Sequence, residues 1–561
     1  MIFSKEIMKE LEQAQARYEE EVRGILNNIP GATTEYTTFS GTPVKRLYSP
    51  KDIEDLDYLE DLSFPGQYPF ARGLFPGGYV TRNLHIRQVT GLGTAEETNK
   101  RWKFLLSQGA NALSVVPDDG SGNRADSDDE RVRGLVGKGG VALDTLYDYQ
   151  TLFEGIDMQK YPVHMITSNA YGLACYLALA EKRGIDFREL RGSMSNWIRP
   201  EIECLDIMEY CAKNVPLFNS GYLDMRNVRE GGCSAAQEIG FGVACAMAGC
   251  DALIEKGLKI EEFLHRITWF INAGPELFEE VAKFRALRRL WAKIFHERYG
   301  VDNPKSLMCK MHCQIYAPTL TMQQPFNNLI RGTIYALGAL LGGVQSLHVN
   351  SFDEALAIPT EFSASLSVRT QQILDLETGI TEVIDPLGGS YYVEWLTNRL
   401  EEAAIEIIDK IQKMGGAFKA WDWMCNEIRL AAVKNQEEFD TGRRLLVGVN
   451  TLVDEEDIQM KALRVLQKHA DFEALYEYSP SLADKQVERL AKVRSERNAG
   501  ELNRARKELI SAMKKKENMI PPLITAVKAG LTRGELGKIK ADIFNLPGGG
   551  PYVCSPPLVL A

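Results

Sequence analysis

Several runs of the chain place side chains able to do chemistry at strand-like spacing. Lys310, His312 and Gln314 alternate with Cys309, Met311 and Cys313. Ser346, His348 and Asn350 alternate with Gln345, Leu347 and Val349, and Ser114, Thr167, Ser193, Ser195 and Thr268 add small hydroxyls within other apolar runs. Successive side chains of a strand point to opposite faces, so each of these runs has a polar face and an apolar one. Cys309, His312 and Cys313 invite a metal reading. A tetrahedral site needs more ligands at hairpin or helix spacing, and none lie nearby in the sequence, so no metal site is expected. Lys310 is the one obvious Schiff-base candidate, which would suit an aldolase-like enzyme.

The elements that must position these residues follow from the hydrophobic pattern. Residues 4–28 carry Ile7, Leu11, Tyr18, Val22 and Ile25 at three-to-four spacing, the mark of an amphipathic helix. Residues 30–80 are rich in Pro, Gly and aromatics and read as an extended, wrapped arm. From 81 to 360 short strands alternate with helices. Candidate strands are Leu84–Val89, Ala112–Val116, Val163–Thr167, Gly192–Asn196, Val215–Asn219, Ile267–Ile271, Met308–Ile315 and Val344–Asn350. Helical stretches include Thr94–Gln108, Ala170–Arg183, Ala235–Ala248 and Phe278–Tyr299. Such units favour a parallel sheet, and their number and length suit an α/β (β/α)8 barrel, with a doubly wound open sheet as the alternative. If the apolar faces meet helices, the polar faces line the barrel axis and leave room for a long polar ligand. The same pattern also fits a solvated rim. The expected division is 1–80 (helix and arm), 81–400 (barrel) and 401–561 (helical linker and C-terminal region).

Bulk properties narrow the function classes. The 561 residues carry 65 Lys and Arg against 76 Asp and Glu, a net charge of −11. No basic excess is available to neutralise nucleic-acid phosphates. No uninterrupted apolar run reaches membrane-spanning length, and the first nine residues lack a signal-peptide core. The ten scattered cysteines fit reduced thiols in a cytoplasmic protein. The Lys514–Lys516 run reads as a solvated helix face.

Several segments resemble the methylmalonyl-CoA mutase family. They are Arg72-Gly73, Tyr79 to Gly91 with Ile86-Arg87-Gln88, Leu113-Ser114-Val115, Asp126-Ser127-Asp128, Leu290-Trp291-Ala292-Lys293, Asn327-Asn328 and Gln345 to Ala355. Val383-Ile384-Asp385-Pro386 and Gly448-Val449-Asn450 extend the match in the same order. The resemblance implies a (β/α)8 barrel threaded by acyl-coenzyme A, and adenosylcobalamin as the source of a radical that starts a carbon-skeleton rearrangement. It also implies a cobalamin module marked by Asp-x-His-x-x-Gly. None of the seven histidines (85, 164, 265, 296, 312, 348 and 469) has Asp two residues earlier. The expectation is therefore a large substrate-binding subunit without its own cobalamin domain, as in the isobutyryl-CoA and 2-hydroxyisobutyryl-CoA mutases. A small cobalamin-binding subunit would be its partner in a hetero-oligomer or dimer of heterodimers, docked by the C-terminal residues, with a G-protein chaperone as a further candidate.

By the same resemblance, Asn350 and Glu354 hold the adenosyl ribose, and Gly91 lets the backbone approach the adenosyl group. Phe75, Arg82, Ser114 and Ser193 contact coenzyme A, and Gln323 is the active-site glutamine. The departures bear on the substrate. Val89 stands where the name-giving enzyme has Tyr, Leu205 where its carboxylate-binding Arg is aligned, and Ser195 where it has Gln. Asn227 replaces a His near the thioester carbonyl, and Arg226 a Tyr. Val116 replaces the aspartate that the 2-hydroxyisobutyryl mutase places for its substrate hydroxyl. A branched acyl-CoA other than methylmalonyl-CoA is expected. The alternatives are methylmalonyl-CoA isomerisation with a relocated Arg226 or Arg229, and a non-catalytic acyl-CoA-binding subunit.

Overall fold

The computed structural model describes residues 4–29, 36–122, 125–166, 170–198, 201–468 and 475–544. Thr167 and His469 lie outside the described residues. Nine parallel strand segments form two sheets: β1 (His85–Ile86), β2 (Leu113–Val115), β3 (Val163–Met165), β4 (Gly192–Met194), β5 (Phe218–Asn219), β6 (Gly221–Asp224), β7 (Ile267–Ala273), β8 (Lys310–Ile315) and β9 (Ser346–His348). One sheet runs β1-β9-β8-β7-β6 and the other β2-β3-β4-β5. Backbone hydrogen bonds bridge both pairs of sheet edges. Asn111 N donates to Ile86 O (3.3 Å) and Val116 N to Thr90 O (3.0 Å) on one side. Tyr222 N donates to Asn196 O (3.0 Å) and Ile198 N to Tyr222 O (3.3 Å) on the other.

One strand differs from its sequence reading. Val215 caps the preceding helix, Ile202–Asn214, and the strand runs instead as β5 and β6, interrupted at Ser220. The Asn196 side-chain amide takes the Ser220 carbonyl (2.9 Å), which satisfies the backbone at the break.

Register decides which side chains share a face. In the β7–β8 pair Lys310 lies opposite Thr268, His312 opposite Phe270 and Gln314 opposite Asn272. In the β8–β9 pair His312 meets Ser346 and Gln314 meets His348. Ser114, His164 and Ser193 are aligned across β2, β3 and β4. The other face, with Trp269, Ile271, Met311, Cys313 and Leu347, joins the main hydrophobic core. His312 and Cys313 therefore face opposite ways, which explains why this cluster cannot converge on an ion. Among the described residues no group of three or more His, Cys, Asp or Glu is placed to hold a metal.

The helices that cover the apolar face are well signalled. Ala95–Ser107 starts with a capping box of Thr94 and Glu97, and Ala235–Glu255 with one of Ser234 and Gln237. Ala235–Glu255 is long and apolar enough to cross a membrane by composition, and 72% of its apolar window is buried in the core. Leu277–Tyr299 carries charges into the interior: Arg285 pairs with Asp385 and Glu394, Arg289 with Glu401, Lys283 with Glu238 and Glu280, and Arg288 donates to the carbonyls of Phe70, Ala71 and Gly342. Removing one partner from such a pair would strand a buried charge. Tyr391–Lys413 runs straight through residue 400, so no break between elements falls there.

The C-terminal helices use their apolar faces within the chain. Ala499–Lys514, Ile520–Lys528 and Arg533–Phe544 share a second core with Ala170–Lys182, built from residues such as Leu177, Leu509, Leu523 and Ile539. Arg494 pairs with Asp126 and Asp128 (2.8 and 2.5 Å), and Arg533 Nε donates to Leu143 O (2.8 Å). They bind the loop around Asp126 and Asp128 to the body through charge as well as packing.

Candidate functional site

A cavity of about 690 Å³ opens at the N-terminal ends of the strands and runs up the shared polar face. Its lower part is lined by Arg82, Lys160, Arg191, Arg266 and Lys310. Arg82 lies over the Phe75 ring (5.1 Å to the centroid), so both residues present one cationic, flat-sided surface to the mouth. Lys310 Nζ donates to His265 O (2.6 Å). Burial, then the neighbouring Arg266, pushes the Lys310 ammonium down to about 7. Burial also lowers Arg266 to about 10. A polyanion bound here would relieve the crowding of positive charge.

Higher up, the lining is neutral and polar. His164 sits between Ser193 Oγ (Nδ1, 2.7 Å) and Ser195 Oγ (Nε2, 3.2 Å). His312 Nδ1 meets Ser346 Oγ (2.8 Å), and Val89 N donates to His348 Nδ1 (3.1 Å). Burial holds His164 and His312 well below the usual imidazole range, with Arg87 adding to the effect. Burial, Arg226 and Arg87 lower His348 to about 3. All three are neutral at physiological pH, so they orient rather than charge a ligand. The aromatic rings of Tyr222 and Phe270 complete this section, Phe270 lying 4.8 Å from His312 and Tyr222 5.1 Å from His164. Buried atoms without protein partners gather along it: Ser114 Oγ, Arg87 Nε, Tyr222 OH and His312 Nε2. Buried polar groups left unmade are costly, and a ligand would satisfy them.

At the C-terminal ends of the strands the geometry changes again. Asn350 is 3% exposed, and neither polar atom of its amide makes a well-formed hydrogen bond. Glu354, four residues on, is exposed at the rim. The protein that crowds round its carboxyl raises it to about 7, against the lowering influence of the Asn350 amide. Gly91 cannot carry a side chain: a Cβ would stand 2.4 Å from Val116 O and 2.8 Å from Gly140 Cα. Val116 thus packs against Gly91 through its backbone. An unsatisfied amide, a carboxyl and a bare backbone together make a cradle for a hydroxyl-bearing group.

The remaining residues named from the sequence divide. Arg226 lies at this end of the strands: its guanidinium is 5.1 Å from the Phe270 ring centroid, 3.1 Å from Glu230, and donates to Asn227 Oδ1 (2.7 Å). Asn227 Nδ2 donates in turn to Asp224 Oδ2 (2.8 Å). Arg229 turns away, fully buried among Glu238, Glu279 and Glu280. It has no route to a ligand in the cavity, which corrects its candidacy as a relocated carboxylate binder. Leu205 is also corrected. It lies in the helix Ile202–Asn214 and packs into the main hydrophobic core, because that helix turns its apolar stripe inward. Gln323 is exposed on the loop after β8, whereas its neighbour Gln324 is buried and bonded to Asp454 (3.0 Å). The alternation of small polar residues flagged His312 and His348. Tyr222, Phe270 and Arg87 have no such signal, since large aromatics and a lone Arg in apolar runs read as core.

Comparison with known proteins identifies the family. A methylmalonyl-CoA mutase family model matches residues 37–545. The chain is 38% identical over 537 residues to the 2-hydroxyisobutanoyl-CoA mutase large subunit of Aquincola tertiaricarbonis, covering 92% of this chain and 93% of that one. It is 36% identical over 528 residues to the human mitochondrial methylmalonyl-CoA mutase, covering 91% of this chain and 68% of the human protein. A similar match, 35% over 532 residues, joins it to the probable methylmalonyl-CoA mutase of Caenorhabditis elegans. The chain belongs to the methylmalonyl-CoA mutase family of cobalamin-dependent acyl-CoA mutases, which are isomerases.

Proposed function

We propose that the chain is the substrate-binding large subunit of an adenosylcobalamin-dependent mutase that rearranges a branched acyl-CoA other than methylmalonyl-CoA. The two sheets, bridged at both edges, are read as one closed (β/α)8 barrel, and acyl-CoA threads its axis. The observation that carries the reading is the gradient along that axis: a basic mouth, a neutral polar middle and a hydroxyl cradle at the far end. In this reading Arg82, Lys310 and Arg266 hold the phosphates, and Phe75 offers its ring to the nucleotide end. Ser114, His164 and Ser193 meet the pantetheine amides. Adenosylcobalamin supplies, when bound, a carbon radical by homolysis of its cobalt–carbon bond. Asn350, Glu354 and the Gly91 backbone would hold its ribose, and the enclosing strands keep water from the reacting carbons.

The Asp-x-His-x-x-Gly motif is not present in these residues, so the lower cobalt ligand comes from outside them. A separate cobalamin-binding subunit is the partner we propose, and the Aquincola relative carries the name of a large subunit. Val89 and Val116 leave an apolar wall beside the cradle, which suits a branched hydrocarbon acyl group. A non-catalytic acyl-CoA binder would have no use for the unsatisfied Asn350 amide. The test is reconstitution of the full chain with a cobalamin-binding subunit and adenosylcobalamin on a panel of acyl-CoAs. Turnover of isobutyryl or larger branched thioesters supports the reading. Efficient turnover of methylmalonyl-CoA in their place would overturn it.

A further inference from the structure

Arg226 is a cation at the top of the axis, and its neighbours decide what it can bind. One nitrogen is paired with Glu230 (3.1 Å) and another donates to Asn227 Oδ1 (2.7 Å). The guanidinium plane lies against Phe270 (5.1 Å). Asp224 fixes Asn227 by accepting from its Nδ2 (2.8 Å). Three carboxyl groups act electrostatically on this one guanidinium: Asp224, Glu230 and Glu354. These carboxyl groups offset its charge from within the protein. One of its nitrogens has no protein acceptor at all: Nε, a buried N–H. A carboxylate wants a paired fork of donors and a net positive surrounding. This site sets the guanidinium amid three carboxyl groups, with Nε the one nitrogen that has no acceptor.

We propose that Arg226, held by Glu230, Asn227 and the Phe270 ring, determines acyl specificity by offering one N–H to a neutral oxygen of the acyl thioester and rejecting acyl groups that bear a carboxylate. Asp224 and Glu230 are the positioning residues. Asn227 links Arg226 to Asp224, its Oδ1 accepting from Arg226 and its Nδ2 donating to Asp224. The inference rests on the acyl-CoA reading above.

It is tested by calorimetric titration of the full chain with isobutyryl-CoA, methylmalonyl-CoA and free coenzyme A. The wild-type chain should prefer isobutyryl-CoA to methylmalonyl-CoA by about tenfold or more, a preference of the size that one balanced charge can set. Glu230→Gln and Asp224→Asn each leave Arg226 with surplus charge and should cut that ratio at least about threefold, with free coenzyme A unaffected. Two substitutions at different sites, each with its folding checked by thermal melting, guard against a simple folding failure. Unchanged ratios in both variants, or equal affinity for the two thioesters in the wild type, would overturn the role of Arg226 and leave the acyl-CoA reading standing. Failure to bind any of the three ligands would sink the acyl-CoA reading itself.

Discussion

The two ends of the strand axis are built on opposite electrostatic plans. At the N-terminal end, Arg82, Lys160, Arg191, Arg266 and Lys310 line one cavity. Burial, and then the positive charge of Arg266, make Lys310 give up part of its affinity for a proton. At the C-terminal end, Arg226 is matched by Glu230 and Asp224, and the carboxyl of Glu354 is raised to about 7. The lower end awaits counter-charge from a ligand, and the upper end has supplied its own. A ligand that threads both must be polyanionic at one tip and neutral at the other, which is the description of a simple acyl-CoA.

Substitutions can break either half. Asn350→Ala removes both arms of the unsatisfied amide in the upper cradle, and should lower kcat by about a hundredfold in the reconstituted enzyme, the scale seen when one preorganised donor is lost. Acyl-CoA affinity at the lower end should hardly change. Gly91→Val forces the backbone of Val116 and Gly140 apart, and a misplacement near 1 Å at a reacting centre costs on the order of a hundredfold. This variant should also melt earlier, as thermal denaturation would report. Val89→Phe narrows the apolar wall and should cut kcat/KM for a branched acyl-CoA by about tenfold, sparing less branched thioesters.

Lys310→Met probes the lower end. In the free chain the ammonium titrates near 7, and an anionic ligand favours its protonated form. Affinity for acyl-CoA should therefore fall as pH rises through 7, and the variant should lose that dependence along with a few-fold of affinity, about one kcal/mol. Titrations between pH 6 and 9 would show it.

A smaller effect separates the C-terminal helices from both ends of the axis. Asp144 accepts from Ser127 N (2.9 Å) and from Gln486 on the helix Ser481–Glu496 (2.7 Å). Burial first, then Asp148 and Asp126, raises its carboxyl from 3.8 to about 8. A raised carboxyl binds its proton more tightly in the folded state. Its contribution to stability is present in full at low pH, declines as pH rises from about 4, and is gone above about 8. Asp144→Asn should flatten this part of the melting-temperature profile.

Much of the axis was legible in the sequence because strands write their two faces in alternate letters. The run from Lys310 to Gln314 and the run from Ser346 to Asn350 gave the polar face directly, and the register pairs them as expected. Motif resemblance supplied Glu354 and Gly91, which no period would have marked, and gave Asn350 its expected role. The stretch between 195 and 230 was the poorest. Leu205 lies on a helix whose start is not fixed by a side-chain cap, and the strand there is interrupted at Ser220. A reading by position slid there, and Arg229 could not be told from Arg226. The two sit three residues apart, and only packing shows that one joins Glu238, Glu279 and Glu280 while the other reaches Phe270.

The division of the axis into a charged mouth and a neutral chamber is tested most directly by an experimental structure of the full chain with a non-reactive thioether analogue of isobutyryl-CoA. The account predicts the nucleotide between Phe75, Arg82 and Lys310, the pantetheine beside Ser114 and His164, and the acyl group beneath Phe270 and Arg226, facing Asn350. An analogue lying across the outer surface, or threaded with its acyl end at Lys310, would contradict it.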